Sequence, residues 1–133
     1  MKILLDTHML LWAFTNDPSL SPDAIELISN NDNEIFYSTI STWEIALKHS
    51  LHPDMLPIDE KSFVEYCDKS GFNSIVLTNT HVQALAQLKS TDETKHKDPF
   101  DRILMAQAIS EQMLFLTQDS KLEAYKSDLI RCL

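Results

Sequence analysis

The sequence lacks a long apolar run, and no stretch approaches the roughly 20 residues that a membrane-spanning helix requires. Its first segment, MKILLDTHMLLWAF, is apolar but contains Asp6 and has no small-residue cleavage site. That segment predicts a strand followed by a helix rather than a signal peptide. With neither a membrane span nor an export signal, we expect a cytoplasmic protein.

Cysteine is scarce, since the chain has two, Cys67 and Cys132, without the spacing of a metal or redox motif. In a reducing compartment both are expected to remain thiols. His8, His81 and His96 likewise show no mutual spacing typical of a transition-metal site. Internal repeats, low-complexity segments and linkers are also missing. A chain of 133 residues is long enough for one domain, so we predict a single domain over 1–133.

Basic side chains are few, with 11 Lys and Arg against 20 Asp and Glu, which gives a formal net charge of −9. This balance argues against a protein that holds nucleic acid through a broad basic surface. It is compatible with a nuclease whose acids are neutralised by metal ions. It also suits a protein that binds a basic partner.

Short apolar runs alternate with segments of helical pattern. The predicted strands are 2–5, 34–39, 74–78, 113–117 and an edge strand at 129–132. Ser21 and Asp98 each precede a proline, which indicates the start of a helix, and Gly71 is expected to end one. This alternation predicts an α/β fold with a mostly parallel central sheet covered on both faces.

Four carboxylates fall at one edge of the predicted sheet. Asp6 ends the first strand, and Asp119 follows the strand at 113–117. Glu44 and Asp101 lie in the first turns of predicted helices that start at the same edge. Open parallel sheets bind ligands beyond the carboxyl ends of their strands. We therefore expect these four side chains to converge, and we refer to them as the acid rim.

Clustered carboxylates repel one another. Two of them about 5 Å apart repel by roughly 3 kcal/mol at an effective dielectric constant of 20. A cluster of four therefore raises its own pKa values or binds cations. Ligand sets made only of oxygen suit Mg²⁺ or Mn²⁺, and such ions activate water for in-line attack on a phosphodiester.

Each acid also has a purely structural interpretation as a helix cap. Glu44 completes the sequence STWE, which is a capping box with Ser41. Asp6 and Asp119 are placed where they could cap helical turns, and Asp98 in HKDPFDR is an expected N-cap. The alternative function is therefore a non-catalytic or signalling α/β interaction domain whose acids mainly cap helices.

Four blocks resemble the signatures of PIN-domain proteins, most closely the VapC-type toxins of bacterial toxin–antitoxin pairs. They occur in the family order and span nearly the whole chain: LLDTHMLLW (4–12), STWEIALK (41–48), HKDPFDRILMAQA (96–108) and LTQDS (116–120). The third block is the most specific. The resemblance implies a three-layer α/β/α sandwich and a Mg²⁺- or Mn²⁺-dependent endoribonuclease.

The resemblance also assigns roles to residues. It implies that the acid rim is the catalytic and metal-binding set. Thr7 matches the hydroxyl residue that follows the first acid, and Thr117 the one two places before the last. Asp98 matches an extra Asp of this subgroup, which we interpret as a supporting or capping residue. Lys97 and Arg102 are candidates for contact with the RNA backbone.

Family proteins are usually homodimers that a small antitoxin inhibits, often by inserting a basic side chain near the acids. The resemblance therefore implies an RNA substrate, a small cognate antitoxin and a homodimer. The net charge of −9 is consistent with a basic partner.

Two other classes of protein match the sequence less well. An aspartyl-phosphate phosphatase has a second Asp two residues after the first, where this chain has His8. A phospho-receiver domain needs an acceptor Asp at the end of the third strand, where this chain reads SIVLTN.

Overall fold

The computed structural model describes residues 1–89, 98–125 and 127–133. These residues form five strands: β1 (Lys2–Leu5), β2 (Glu34–Ser38), β3 (Asn73–Ile75), β4 (Leu114–Thr117) and β5 (Ile130–Cys132). The α-helices between them are α1 (Thr7–Thr15), α2 (Pro22–Ser29), α3 (Thr39–Leu51), α4 (Glu60–Lys69), α5 (Asn79–Gln83) and α6 (Pro99–Ser110). Turns of 3-10 helix cover Ala84–Gln87 and Ser120–Ala124. None of these helices is both long and apolar enough to cross a membrane.

The five strands are all parallel and form one sheet in the order β3-β2-β1-β4-β5. In the centre, Leu4 of β1 pairs with Phe36 of β2 on one side and with Phe115 of β4 on the other. The chain runs outward from β1 to β3 and then crosses to the other side for β4 and β5. The strand order therefore reverses between β1 and β4, and such a switch point opens a crevice beyond the strand ends. The predicted α/β class with a parallel sheet is confirmed.

The side chains of β1 alternate between two hydrophobic clusters, one on each face of the sheet. Ile3 and Leu5 pack in one cluster with Phe63 of α4. Leu4 packs in the other cluster with Leu104 of α6. A central strand that is apolar on both faces is typical of a parallel sheet covered by helices on both sides, so the predicted three-layer arrangement is confirmed.

Three helix boundaries follow the signals in the sequence. The hydroxyl of Ser21 accepts a hydrogen bond from the backbone N–H of Ala24 at the start of α2. The carboxylate of Asp98 accepts one of 2.9 Å from the N–H of Phe100 at the start of α6. Gly71, just after α4, has a φ of +79°, a conformation that glycine adopts without steric cost.

The start of α3 differs from the prediction. The helix begins at Thr39, and its N-cap is Ser38, whose hydroxyl accepts a 3.0 Å hydrogen bond from the N–H of Ile40. Glu44 therefore lies in the second turn of α3, and the predicted capping box between Ser41 and Glu44 is wrong. The segment STIST at 38–42 contains several hydroxyl side chains that can each cap a helix, so the local pattern does not select one.

The region after α4 also differs from the prediction. The predicted strand at 74–78 ends early, because Thr78 is the N-cap of α5. The backbone N–H of Thr78 donates to Nδ1 of His81, and Nε2 of this buried imidazole lies 2.6 Å from Oε1 of Glu111. His81 therefore has a structural role at the start of α5. Cys67 and Cys132 are free thiols, as predicted.

Candidate active site

The ends of β1 and β4 bring Asp6 and Asp119 to the crevice at the switch point. The backbone N–H of Asp6 donates a 3.0 Å hydrogen bond to the carbonyl oxygen of Leu116, so Asp6 stays attached to β4. Oγ1 of Thr117 donates to Oδ2 of Asp6 at 2.7 Å and accepts from the N–H of Asp119 at 3.0 Å. One hydroxyl group thus holds both acidic residues in position.

Asp6 occupies the N-cap position of α1, but its side chain makes no capping hydrogen bond. Within the described part of the chain, Oδ1 of Asp6 is buried and has no hydrogen-bond partner. Burial raises the pKa of this carboxyl, even though the hydrogen bond from Thr117 acts to lower it. The capping interpretation of Asp6 is therefore wrong.

Glu44 approaches Asp6 from α3 and is 3% exposed. Its Oε2 accepts a 2.6 Å hydrogen bond from Nζ of Lys48, whereas Oε1 is buried with no partner among the residues described. One turn earlier, the hydroxyls of Ser41 and Thr7 lie 2.8 Å apart and share a buried hydrogen bond. This bond ties α3 to the start of α1, next to Asp6.

Asp101 lies in the first turn of α6, where burial and the charges of neighbouring carboxylates affect its pKa. Burial is the largest cause that raises its pKa to about 8. The negative charges that raise it further belong to the carboxylates around it: Asp6, Asp98, Glu44 and Asp119. A carboxyl that titrates so far above its usual range is typical of a clustered anionic site. The acid rim is thus brought together, while its roles in catalysis and metal binding stay predictions.

Asp98 and Asp119 also have backbone partners. Asp98 accepts hydrogen bonds from the N–H groups of Phe100 and Asp101, at 2.9 and 3.5 Å. Oδ1 of Asp119 accepts one of 3.0 Å from the N–H of Lys121. The predicted capping is therefore confirmed for both residues. A carboxylate has two oxygens, so a cap at one of them does not prevent a cation from binding the other.

Lys48 offsets part of the negative charge. Partial burial acts to lower its pKa, but the hydrogen bond and charge of Glu44, and the charges of Asp98 and Asp101, raise it overall. Lys48 was not predicted as a site residue, although its spacing of four residues from Glu44 on a helix is typical of an ion pair. The contact between Ser41 and Thr7 was not predicted either, because it had no signal in the local sequence.

The donor atoms of the acid rim suit a hard divalent cation. They are all carboxylate oxygens, and two of them are buried without a partner within the described residues. Within 1–89, 98–125 and 127–133, no three His, Cys, Asp or Glu side chains are arranged so that they could hold one metal ion together. Mg²⁺ is usually held by one or two carboxylates and several waters, so the residues present fit this ion.

A cleft of about 250 Å³ opens beside Asp6 and Asp119. Its lining residues come from the start of α1 and from the end of β4: Asp6, His8, Met9, Trp12, Gln118 and Asp119. Gln118 is fixed there, because its Oε1 accepts from the N–H of Ser21 and its Nε2 donates to the carbonyl of Ser19, both at 2.9 Å. A second cleft, of about 220 Å³, also includes Trp12 and extends to Ile25 and Tyr66.

Two basic residues, Lys97 and Arg102, were predicted to contact RNA. Lys97 lies outside the described residues, as does His96. Arg102 is half-buried in α6, directly after Asp101. Contact of either side chain with RNA stays a prediction.

Comparison with known proteins agrees with this architecture. The family model described as PIN domain matches residues 3–127. Among solved structures, the chain is similar to VapBC2 from Rickettsia felis bound to a promoter DNA fragment (19% identity, TM-score 0.72, covering 99% of this chain and 98% of that one). It is also similar to DNA-bound VapBC from Salmonella typhimurium (19% identity, TM-score 0.65, covering 100% of this chain and 97% of that one). A third similar structure is VapBC-1 from nontypeable Haemophilus influenzae (12% identity, TM-score 0.60, covering 91% of this chain and 89% of that one).

No curated protein matches the chain. At 12 to 19% identity, the solved structures show a shared fold. The family match covers nearly the whole sequence and includes the four residues of the acid rim. The chain therefore belongs to the PIN-domain family.

Proposed function

We propose that this protein is a Mg²⁺- or Mn²⁺-dependent endoribonuclease and the toxin of a type II toxin–antitoxin pair. The observation that carries the proposal is the clustering of carboxylates around Asp101, a residue whose pKa is raised to about 8 by burial and, in addition, by these negative charges. Holding like charges together costs stability, and proteins keep such local conflicts mainly at functional sites. PIN domains are generally nucleases, which supports the same assignment.

In the proposed reaction, the acid rim holds the divalent ion. The bound ion supplies an activated water and positive charge at the phosphodiester. The other residues position these ligands: Thr117 fixes Asp6, and the bond between Thr7 and Ser41 fixes α3 against α1. The charge of Lys48 lowers the cost of gathering the carboxylates before the ion binds.

Cleavage of total RNA tests this proposal. Purified protein should cut RNA in Mg²⁺ or Mn²⁺ and stop cutting in EDTA, and sequencing of the new ends would identify the target. The Asp101→Asn variant, purified identically, is the control against a contaminating nuclease. Cutting that persists in EDTA, or in the variant, would contradict the proposed mechanism.

The second candidate is a non-catalytic interaction domain whose acids cap helices. The caps made by Asp98 and Asp119 favour it. Calorimetric titration with Mn²⁺ separates the two candidates. Binding that disappears in Asp101→Ser supports the nuclease, and a parent protein that binds no Mn²⁺ supports the interaction domain.

We infer that a small antitoxin occupies the second cleft. The similar structures from Rickettsia felis and Salmonella typhimurium are VapBC complexes with DNA. In this chain, Ile25 lines the second cleft with Tyr66 and is 49% exposed, which suits an apolar contact with a partner. Trp12 joins this cleft to the one beside the acids, so a basic side chain of the same partner could approach Asp6.

Growth assays test the antitoxin assignment. Expression of the chain alone should arrest growth, and co-expression of the cognate neighbouring protein should relieve the arrest. Ile25→Glu, which lies away from the acid rim, should remain toxic but escape relief. Normal growth at high soluble expression of the parent chain would contradict a toxin role.

We also infer a homodimer formed through α3. Trp43, Leu47 and Leu51 are spaced four residues apart, so they share one face of the helix, and they are 58%, 39% and 63% exposed. Large apolar side chains exposed together are typical of an interface. Leu47→Glu should therefore give a monomer in sedimentation experiments. Val82→Glu, at a 43% exposed position on α5, should leave the dimer intact.

A further inference from the structure

The cleft beside Asp6 and Asp119 has aromatic side chains as well as acids. His8 and Trp12 lie one turn apart on α1, with ring centroids 6.1 Å apart and planes inclined at 48°. His8 is exposed, and Trp12 is half-buried. At this angle the two rings are not stacked on each other, so a flat ligand can pack against either of them.

The other walls of the cleft limit what this ligand can be. Met9 lines the cleft but is fully buried, and Gln118 already uses both ends of its amide in hydrogen bonds to the segment before α2. Gln118 therefore offers a fixed wall rather than a new pair of hydrogen bonds. A ligand here gains mainly from stacking, and every nucleobase has a face that stacks on an aromatic side chain.

The cleft lies directly beside the acid rim, where the proposed reaction takes place. Asp6 and Asp119 belong both to the acid rim and to the cleft lining. A nucleotide whose phosphate lies at the acid rim therefore has its base within reach of His8 and Trp12.

We propose that this cleft is a nucleobase-binding site, in which the base of a nucleotide at the cleaved phosphate stacks on Trp12 with His8 beside it. The inference rests on the proposed nuclease function and adds the class of substrate. A base that enters the cleft is not stacked or paired within an RNA double helix, so the cut falls at an unpaired nucleotide. Because stacking accepts all four bases, the cleft selects an exposed base rather than a particular sequence.

Tryptophan fluorescence gives a direct test, because the chain has two tryptophans, Trp12 and Trp43. With the acid rim intact, Trp43→Phe leaves Trp12 as the reporter and Trp12→Phe leaves Trp43, and quenching is read before cleavage proceeds. Each protein is titrated in Mg²⁺ with hexauridylate and with an abasic oligomer of the same length and charge. We expect hexauridylate to quench Trp12 and not Trp43, and the abasic oligomer to quench neither.

Substitution of His8 gives a second test at an exposed position, where folding is not at risk. His8→Ala should weaken binding of hexauridylate by about fivefold or more, and His8→Phe should restore it because the ring is retained. Binding of the abasic oligomer should not change in either variant. If the two oligomers bind equally to the parent, or if hexauridylate leaves Trp12 unchanged, the nucleobase site is wrong.

The outcomes also separate this inference from the proposed function. Metal-dependent RNA cleavage without a response from Trp12 would overturn the nucleobase site and leave the nuclease intact. Quenching of Trp12 by the co-purified antitoxin, but not by hexauridylate, would assign the cleft to the protein partner instead. A parent protein that neither binds nor cuts RNA would overturn both proposals.

Discussion

Thr117 donates a 2.7 Å hydrogen bond to the carboxylate of Asp6, across 111 residues of sequence. Thr117→Val keeps the shape of the side chain but removes the hydroxyl. We expect it to lower the free energy of unfolding by about 1–3 kcal/mol, because a buried carboxylate oxygen loses its donor. We expect Mn²⁺ affinity to fall by about 10- to 100-fold, since Asp6 loses its orientation.

Urea unfolding and Mn²⁺ calorimetry would measure these two effects. Thr117→Ser is the matched control, because it keeps the hydroxyl and should stay close to the parent in metal affinity. If the valine variant binds Mn²⁺ as tightly as the serine variant, this hydrogen bond does not position a metal ligand.

Asp101 makes the metal-free protein less stable as the pH rises. Its pKa is raised from 3.8 to about 8 in the folded protein, so the folded state keeps a proton that the unfolded chain releases. The stability from this protonation is fully present below the unfolded pKa of 3.8, is lost as the pH rises to about 8, and is then constant. In EDTA, the free energy of unfolding should therefore be lower at pH 8 than at pH 5.

Asp101→Asn should reduce this pH dependence, because asparagine does not titrate. The variant should be at least as stable as the parent at pH 8, yet inactive. If the free energy of unfolding changes by the same amount between pH 5 and pH 8 in the parent and in the variant, Asp101 is not the titrating group.

Asp98 and Asp101 should differ in what they support, although both lie at the start of α6. Asp98→Ala should cost about 1 kcal/mol of stability, the usual value for a lost N-cap, and retain part of the activity. Asp98→Ser should recover much of the stability, because serine also caps. Asp101→Ser should recover no activity, because a neutral hydroxyl is a poor ligand for a divalent ion.

Melting temperature and Mn²⁺ affinity, measured for the three variants, would test this division. Our assignment requires Asp98→Ser to keep metal binding. Should Asp98→Ser lose it as completely as Asp101→Ser does, Asp98 would itself be a metal ligand.

Lys48 is expected to compete with the metal ion for Glu44, since its Nζ lies 2.6 Å from Oε2. Lys48→Met removes this cation and keeps most of the apolar stem. At pH 8 it should raise Mn²⁺ affinity and lower the stability of the metal-free protein, because the acid rim loses its neutralising charge. Lys61→Met, at an exposed position on α4, is the control. A fall in Mn²⁺ affinity in Lys48→Met would instead indicate that Lys48 helps to hold the site together.

Local sequence predicted the parts of the fold that local forces determine. Ser21 and Asp98 cap their helices as expected, because each is followed by a proline and the cap lies within a few residues. The end of β3 was missed because Thr78 was assigned to the strand, whereas its hydroxyl caps the start of α5. The start of α3 was missed because several neighbouring hydroxyls could each have served as the cap.

The candidate site shows the same limit. The acid rim was predictable, because residues at the ends of parallel strands share one edge of the sheet. The contact between Thr7 and Ser41 was not predictable, since it depends on how α3 packs against α1. The ion pair of Lys48 with Glu44 lay within reach of sequence analysis, because it needs only the geometry of a single helix.

The pairing of β1 with β4 also determines when the site can form during synthesis. A chain grows from its N-terminal end, so Asp6 and Glu44 are made long before Asp101 and Asp119. Until β4 is available, β1 has one unpaired edge, and the carboxylate of Asp6 has no hydroxyl to hold it. A ribosome that stalls before residue 114 therefore carries a chain with three of the four acids and no assembled site.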